Sequence, residues 1–249
     1  MKLSSLLLVP LIFIVASCRK DVIPIEEETV HIIIIAGQSN THYGTGLDPE
    51  LDKSHPRILQ LGRHDDNDMR IIPAVEPLDH KTKIEGNIGF AMTFAKYYLT
   101  TYLNEDEKIV LIPAGNAGSC FSKNDWNPGD PLYKDLVARY NHLKLVLPGS
   151  ELAAILWHQG ESDVKSLDYE TKLDNFILNL RADLSAPNTP LILGGMNPYW
   201  VDQATDRMKI QAIIKDTPNR IENTGYVDPT LPIIINKDSN QVNAIHYDA

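Results

Sequence analysis

The stretch HIIIIAGQSN, residues 31–40, places four isoleucines, an alanine and a glycine before a serine that is flanked by two amides. A continuous run of β-branched residues that ends in glycine is typical of a strand buried on both faces of a sheet. Ser39 therefore lies where a buried strand ends. A serine at such a position is either a nucleophile or an ordinary turn residue or helix cap, and this stretch alone leaves both open.

Short apolar runs alternate with helical patterns along the rest of the chain. Strands are predicted over residues 30–37, 108–114, 152–160, 190–196 and, more briefly, 231–235. Helices are predicted over residues 89–103, 130–147, 167–185 and 203–217, the second with Asp130 as N-cap and Pro131 at its first position. This alternation predicts an α/β fold with a parallel sheet and helices on both faces.

Small and polar residues follow three of the predicted strands. They are GQSN at 37–40, GNAGSC at 115–120 and HQGESD at 158–163. Because parallel sheets place their sites at the carboxyl ends of the strands, we expect these three segments to meet. A functional site is therefore predicted at this edge of the sheet.

A reactive serine needs a base, which is most often a histidine held by a third group. The chain has eight histidines. His158 ends a predicted strand, and His246 lies near the C-terminus in NAIHYDA. Spacing alone does not choose between them.

The N-terminal residues have the character of an export signal. Lys2 precedes a short apolar run, and the run ends in VASC, which resembles the lipobox of bacterial lipoproteins. We therefore expect a signal peptide over residues 1–17, lipidation of Cys18, a tether over 18–30 and an esterase-type domain over 31–249. The expected location is the bacterial cell envelope, in the periplasm or at the cell surface. A signal that is cleaved elsewhere or kept, with Cys18 incidental, is the alternative.

Composition restricts the partners and cofactors. The formal net charge of −10 argues against nucleic acid and anionic surfaces, so any membrane contact is expected only through the lipid. With Cys18 lipidated, Cys120 has no disulfide partner and is expected to be a buried or semi-buried thiol. His158 and Glu161 could form a metal pair, but two ligands do not make a site, and no HExxH motif or cysteine cluster occurs. No metal and no cofactor are predicted.

Several ordered blocks carry a resemblance to a known group of enzymes. IIIIAGQSN, LIPAGNAGSCFSKNDW, LWHQGESD and NAIHYDA resemble successive blocks of the SGNH hydrolase superfamily, and IGFAMTFAKYY is similar to the helix after the first block. More narrowly, the blocks resemble the sialate O-acetylesterase-like group and carbohydrate esterase family six. They run in family order from about residue 31 to the end.

The resemblance implies a three-layer α/β/α sandwich and removal of O-acetyl groups from carbohydrates, either acetylated polysaccharide or sialic acid. It makes Ser39 the nucleophile and His246 the base. The oxyanion hole would comprise the backbone N–H groups of Ser39 and Gly118 and the side chain of Gln159. Gln38, Asn40 and Glu161 would support the site, with no proton-transfer role for Glu161.

One departure from the family pattern concerns the last block. Asn243 stands where the family usually has an aspartate, and an asparagine can orient an imidazole without stabilising its positive charge. Asn243 could serve as the orienter in a Ser–His dyad. Another carboxylate, such as Asp238, Asp248 or Glu161, could replace the aspartate. Alternatively, the protein is a catalytically weak lipoprotein that binds glycans.

A second departure follows the nucleophile block. The family commonly has an apolar residue after the asparagine, whereas this chain has Thr41 and His42. We expect these polar groups near the mouth of the pocket. They would either alter substrate choice or be a neutral surface change.

Overall fold

The computed structural model describes residues 29–230 and 245–247. Its strands are β1 Val30–Gly37, β2 Ile58–Leu61, β3 Ile71–Pro73, β4 Lys108–Pro113, β5 Glu151–His158, β6 Leu191–Gly194 and β7 Thr224–Val227. They form one sheet of seven strands in the order β3-β2-β4-β1-β5-β6-β7. Every neighbouring pair is parallel except β2 and β3.

The helices cover both faces of this sheet. They are α1 Ala91–Tyr102, α2 Pro131–Val146, α3 Tyr169–Asp183, α4 Pro198–Val201 and α5 Thr205–Arg220. Ile32 and Ile34 of β1 share one core cluster with buried residues of α2, α3 and α5. Ile33 and Ile35 point to the other face and share a cluster with α1. Because successive strand residues face opposite sides, β1 serves two cores, and the predicted three-layer α/β/α architecture is confirmed.

Most predicted elements are confirmed, with shifted ends. Asp130 occupies the N-cap position of α2, but its Oδ2 accepts from the backbone N–H of Asn127 at 2.7 Å and from no N–H of the helix. The last helix runs beyond its predicted end, through Pro218 to Arg220. The predicted strand at 231–235 lies outside the described residues. Strands β2, β3 and β7 were not predicted.

The end of β5 is held by aromatic packing. Trp157 is buried, and its ring centroid lies 4.3 Å from that of Phe176 on α3 and 5.2 Å from that of Trp126. Such packing restricts side-chain and backbone movement. The residues directly after Trp157 therefore start from a rigid position. Within the described part of the chain, no helix has the length and apolar character needed to cross a membrane.

Candidate active site

The three polar segments meet as predicted, because β4, β1 and β5 are neighbours in the sheet. Gly37 ends β1 opposite His158 at the end of β5. Its φ is +130°, and a Cβ at this position would lie 2.0 Å from the carbonyl oxygen of His158. Only glycine permits this close approach. The backbone N–H of Gln38 then donates to the same carbonyl at 2.9 Å, which sets the start of the turn that carries Ser39.

Ser39 begins a short 3₁₀ turn and is 6% exposed. Nε2 of His246 lies 2.9 Å from its Oγ, although the two residues are 207 positions apart. The ring of Tyr43 stacks on the imidazole with centroids 5.4 Å apart and planes 23° apart. The structure thus brings Ser39 to His246, the histidine that the family resemblance indicated. His158 instead lies 3.2 Å from Glu161, Nε2 to Oε1.

Two asparagines hold the segment that carries His246. Nδ2 of Asn40 donates to the carbonyl of Ile245 at 2.9 Å, and the N–H of Tyr247 donates to Oδ1 of Asn40 at 3.2 Å. Nδ2 of Asn197 donates to the carbonyl of His246 at 3.0 Å. The histidine is therefore anchored on both sides and at its own backbone. Asn197 was missed from sequence, although it directly follows the predicted strand at 190–196.

The carboxyl group of Glu161 holds the side chain of Asn40. Nδ2 of Asn40 donates to Oε1 of Glu161 at 2.6 Å, and this carboxyl group is almost fully buried. Burial raises the pKa of Glu161, but the adjacent His158 and the hydrogen bond from Asn40 hold it below its usual value. Both N–H bonds of the side-chain amide of Asn40 have acceptors, one being Glu161 and the other the carbonyl of Ile245. Glu161 is therefore connected to the histidine segment through Asn40.

The loop after β4 carries a single unused backbone donor. The N–H of Gly115 donates to Nδ1 of His80, that of Asn116 to Gly37, that of Ala117 to Thr82, and that of Ser119 to the carbonyl of Asn116. Among the described residues, the N–H of Gly118 has no acceptor. The same holds for the N–H of Ser39.

Gln159 is buried beside this loop. Its Nε2 donates to Oδ2 of Asp163 at 2.8 Å and lies 3.4 Å from Oε1 of Gln38. The contact with Gln38 is at the long limit for a hydrogen bond. The N–H of Gln159 that points to Gln38 is therefore the one that is more easily released. The N–H of Ser162 also donates to Oε1 of Gln38, at 3.1 Å. Gln38 thus connects the serine turn to the segment after β5.

Asp163 is buried and connects two segments of the site. It is 1% exposed and accepts from the backbone N–H groups of Phe121 at 2.8 Å and Ser122 at 3.0 Å, besides the side chain of Gln159. A buried carboxylate is tolerated when several donors satisfy it. Asp163 therefore ties the loop after β4 to the end of β5.

Thr41 and His42 are buried, which contradicts their expected place at the mouth of the pocket. They are 0% and 4% exposed. Burial, with the nearby His246, lowers the pKa of His42 to about 4. The sequence pattern missed the burial of His42 because the residues that contact its ring, His80 and Thr82, come from a segment with no recognisable periodicity.

A groove with several charged side chains is lined in part by Tyr43. Its volume is about 660 Å³, and it is lined by Tyr43, His64, Asp65, Lys81, Thr82, Lys83 and Glu85. Tyr43 stacks on His246, so the groove adjoins the histidine. Cys120, as expected, is a buried thiol, and burial raises its pKa. Cys18, Asp238, Asn243 and Asp248 lie outside the described residues.

A serine hydroxyl within hydrogen-bonding distance of a histidine, at the carboxyl edge of a parallel sheet, is an arrangement typical of serine hydrolases. The family model for carbohydrate esterases described as sialic acid-specific acetylesterases matches residues 29–247. The chain belongs to this family of acetylesterases.

Individual relatives agree with the family. The chain is 34% identical over 181 residues to an Arabidopsis thaliana protein named "Probable carbohydrate esterase", covering 65% of this chain and 66% of that protein, just under two thirds. It is 26% identical over 230 residues to an Escherichia coli protein named "Probable 9-O-acetyl-N-acetylneuraminic acid deacetylase", covering 71% and 70%.

Solved structures show the same fold. The crystal structure of NanS matches with a TM-score of 0.77 at 20% identity, covering 89% of this chain and 92% of that chain. A protein from Arabidopsis thaliana matches with a TM-score of 0.69 at 25% identity, covering 88% and 90%. The expected fold and family are both confirmed.

Proposed function

We propose that this chain is a serine O-acetylesterase that acts on acetylated carbohydrates with Ser39 as nucleophile and His246 as base. The 2.9 Å separation between Nε2 of His246 and Oγ of Ser39 carries this proposal. It is a distance at which the imidazole can accept the hydroxyl proton as Oγ attacks. Family membership supplies the class of bond, an acetyl ester on a sugar.

The first half of the reaction forms an acetyl-enzyme. Oγ of Ser39 attacks the acetyl carbonyl carbon while its proton passes to Nε2 of His246. When the tetrahedral intermediate collapses, His246 gives that proton to the departing sugar oxygen, which leaves as a hydroxyl group. In the second half a water molecule loses a proton to His246 and attacks the acetyl group. Acetate leaves, and Oγ of Ser39 regains a proton.

The negative charge on the carbonyl oxygen needs donors that are already in position. The backbone N–H groups of Ser39 and Gly118 fill this role, since neither has an acceptor among the described residues. The N–H of Gln159 that lies 3.4 Å from Gln38 is the third donor, and it turns from Gln38 to the oxyanion. Removing one such donor commonly costs about 100- to 1000-fold in rate.

Asn243 is the orienter that we assign to His246, in place of the usual aspartate. Its neutral side chain can accept the Nδ1 proton of His246 but brings no charge of its own. The hydrogen bonds from Asn40 and Asn197 to the histidine segment compensate by limiting its movement. This positioning of the imidazole would support general-base catalysis.

Esterase activity has a direct test. The full chain, purified in detergent, should release p-nitrophenol from p-nitrophenyl acetate, and Ser39→Ala should remove that activity. An unchanged rate in Ser39→Ala would refute the assignment of the nucleophile. Acetate release from a panel that includes acetylated xylan and acetylated sialic acid would then identify the sugar.

A glycan-binding lipoprotein is the second candidate, and Asn243 is the observation that favours it. In that case the parent chain would be nearly inactive, and Asn243→Asp would restore a large rate. A fully active parent would eliminate this candidate. Either function is proposed for a chain that is anchored through Cys18 in the cell envelope, with residues 1–17 removed and the esterase domain beginning near residue 31.

A further inference from the structure

A chain of hydrogen bonds connects the serine turn to the loop that contains Gly118. Oγ1 of Thr41 donates to the carbonyl of Gln38 at 2.7 Å, and Nδ1 of His42 lies 2.7 Å from Oγ1 of Thr41. Nε2 of His42 lies 2.8 Å from Oγ1 of Thr82, which accepts the backbone N–H of Ala117 at 2.8 Å. His42 is the middle of this connection.

The direction of each bond can be deduced. A carbonyl oxygen only accepts, so the hydroxyl proton of Thr41 is committed to Gln38. Thr41 must therefore accept from His42, which places the ring proton on Nδ1. In the neutral ring Nε2 is then an acceptor, so Thr82 donates its hydroxyl proton to Nε2. The low pKa of His42 agrees with a neutral ring.

Close packing holds the ring in this orientation. His42 stacks on His80 with centroids 4.5 Å apart and planes 15° apart, and both rings are buried. Nδ1 of His80 accepts the N–H of Gly115 at 2.9 Å. A Cβ at Gly115 would lie 2.0 Å from Oγ1 of Thr41 and 2.8 Å from Nδ1 of His42. The two loops therefore touch with no space for another atom.

We propose that His42 is a positioning residue for the oxyanion hole: its neutral, Nδ1-protonated ring holds Ala117, through Thr82, at a set distance from the serine turn. This inference rests on the proposed function of Ser39 and Gly118. The N–H of Gly118 belongs to the peptide group that joins Ala117 to Gly118. Fixing the N–H of Ala117 therefore restricts the direction in which the N–H of Gly118 points. A donor displaced by about 1 Å can cost about 100-fold in rate.

The matched variants Thr82→Val and Thr82→Ser test the connection. Valine keeps the shape of threonine without the hydroxyl group, and serine keeps the hydroxyl group. With p-nitrophenyl acetate, which has no sugar to fill the groove, Thr82→Val should lower kcat by about 10-fold or more and leave KM nearly unchanged. Thr82→Ser should retain most of the parent rate. Equal kcat values for the two variants would overturn the proposal.

His42→Phe is the second variant, because phenylalanine preserves the stacking on His80 but has neither ring nitrogen. It should lower kcat about as far as Thr82→Val does. A loss of thermal stability in His42→Phe with an unchanged kcat would show a merely structural role and also overturn the proposal.

Two measurements do not depend on turnover. Nitrogen-15 spectra of the histidines should show two rings protonated at Nδ1 and bare at Nε2, those of His42 and His246, and one of the two signals should be absent in His42→Phe. Amide exchange at Ala117 should be about 10-fold faster in Thr82→Val than in Thr82→Ser. A proton on Nε2, or equal exchange, would refute the positioning role. An inactive parent chain that passes both measurements would instead point to failure of the proposed esterase function.

Discussion

The side-chain amide of Asn40 lies 2.9 Å from the carbonyl oxygen of Ile245, so the residue after the serine holds the residue before the histidine. One asparagine thereby links the segments that carry Ser39 and His246. Its second N–H donates to the buried carboxyl group of Glu161 at 2.6 Å. The separation of Ser39 from His246 is therefore governed by a contact that neither residue makes itself.

Asn40→Asp should impair catalysis more than folding. A carboxylate cannot donate to Ile245, and it would face the carboxyl group of Glu161, so the histidine segment should move away from Ser39. We expect kcat with p-nitrophenyl acetate to fall by about 100-fold. Asn179→Asp, on the exposed face of α3, is the matched control and should keep the parent rate. Equal rates in the two variants would contradict the role of Asn40.

Stability should fall in acid because of His42. Its pKa is lowered from 6.5 to about 4 in the folded chain, so the unfolded chain takes up a proton first as pH decreases through this range. At about 1.4 kcal/mol per pKa unit, His42 alone should lower the free energy of unfolding by about 3 kcal/mol across that range. Urea unfolding measured at several pH values would show this slope, and His42→Phe should make it less steep. Burial also lowers the pKa of His80, which contributes the part that remains. An equally steep slope in the variant would show that other groups cause it.

Gly37→Ala should disrupt the serine turn. The new Cβ would lie 2.0 Å from the carbonyl oxygen of His158, in the centre of the sheet, where neither strand can move aside. We expect a loss of about 3 kcal/mol or more in the free energy of unfolding, together with loss of esterase activity. Gly225→Ala is the control, since its Cβ would meet nothing within 4 Å. Similar stability of the two variants in urea would count against this packing argument.

Lipidation of Cys18 has a separate test. In a bacterial host, mass analysis of the membrane fraction should find the chain beginning at an acylated Cys18. Cys18→Ala should move the protein out of that fraction, because a single short tether without lipid has little apolar surface to hold it there. A parent chain that carries no acyl group at Cys18 would refute the anchor.

The sequence predicted the centre of the sheet better than its margins. β1, β4 and β5 are long, apolar and buried on both faces, so their ends, and the site there, could be located from pattern alone. β2, β3 and β7 have three or four residues each, too few to establish a period, whereas the equally short β6 was located by its continuous apolar run. The pairing of Ser39 with His246 required the family resemblance, since no local pattern specifies a contact across 207 positions.

Side-chain connections within the site were the least predictable part. Asn197 could have been found by extending the strand-end argument to β6. The burial of Thr41 and His42 could not have been predicted from sequence, because it depends on His80 and Thr82. The segment of these two residues is ordered by contacts with the loop at Gly115 and not by its own periodicity. Polar residues after a strand therefore indicate where a site lies but not which of them face the substrate.

The 207-position separation of Ser39 and His246 also bears on when reactivity arises during biogenesis. Synthesis delivers the serine turn long before the histidine, and closing so long a loop carries an entropy cost that only the assembled sheet offsets. A nascent or partly folded chain thus has an ordinary, unreactive serine. Esterase activity would therefore report completed folding, because it requires the contacts that bring His246 to Ser39.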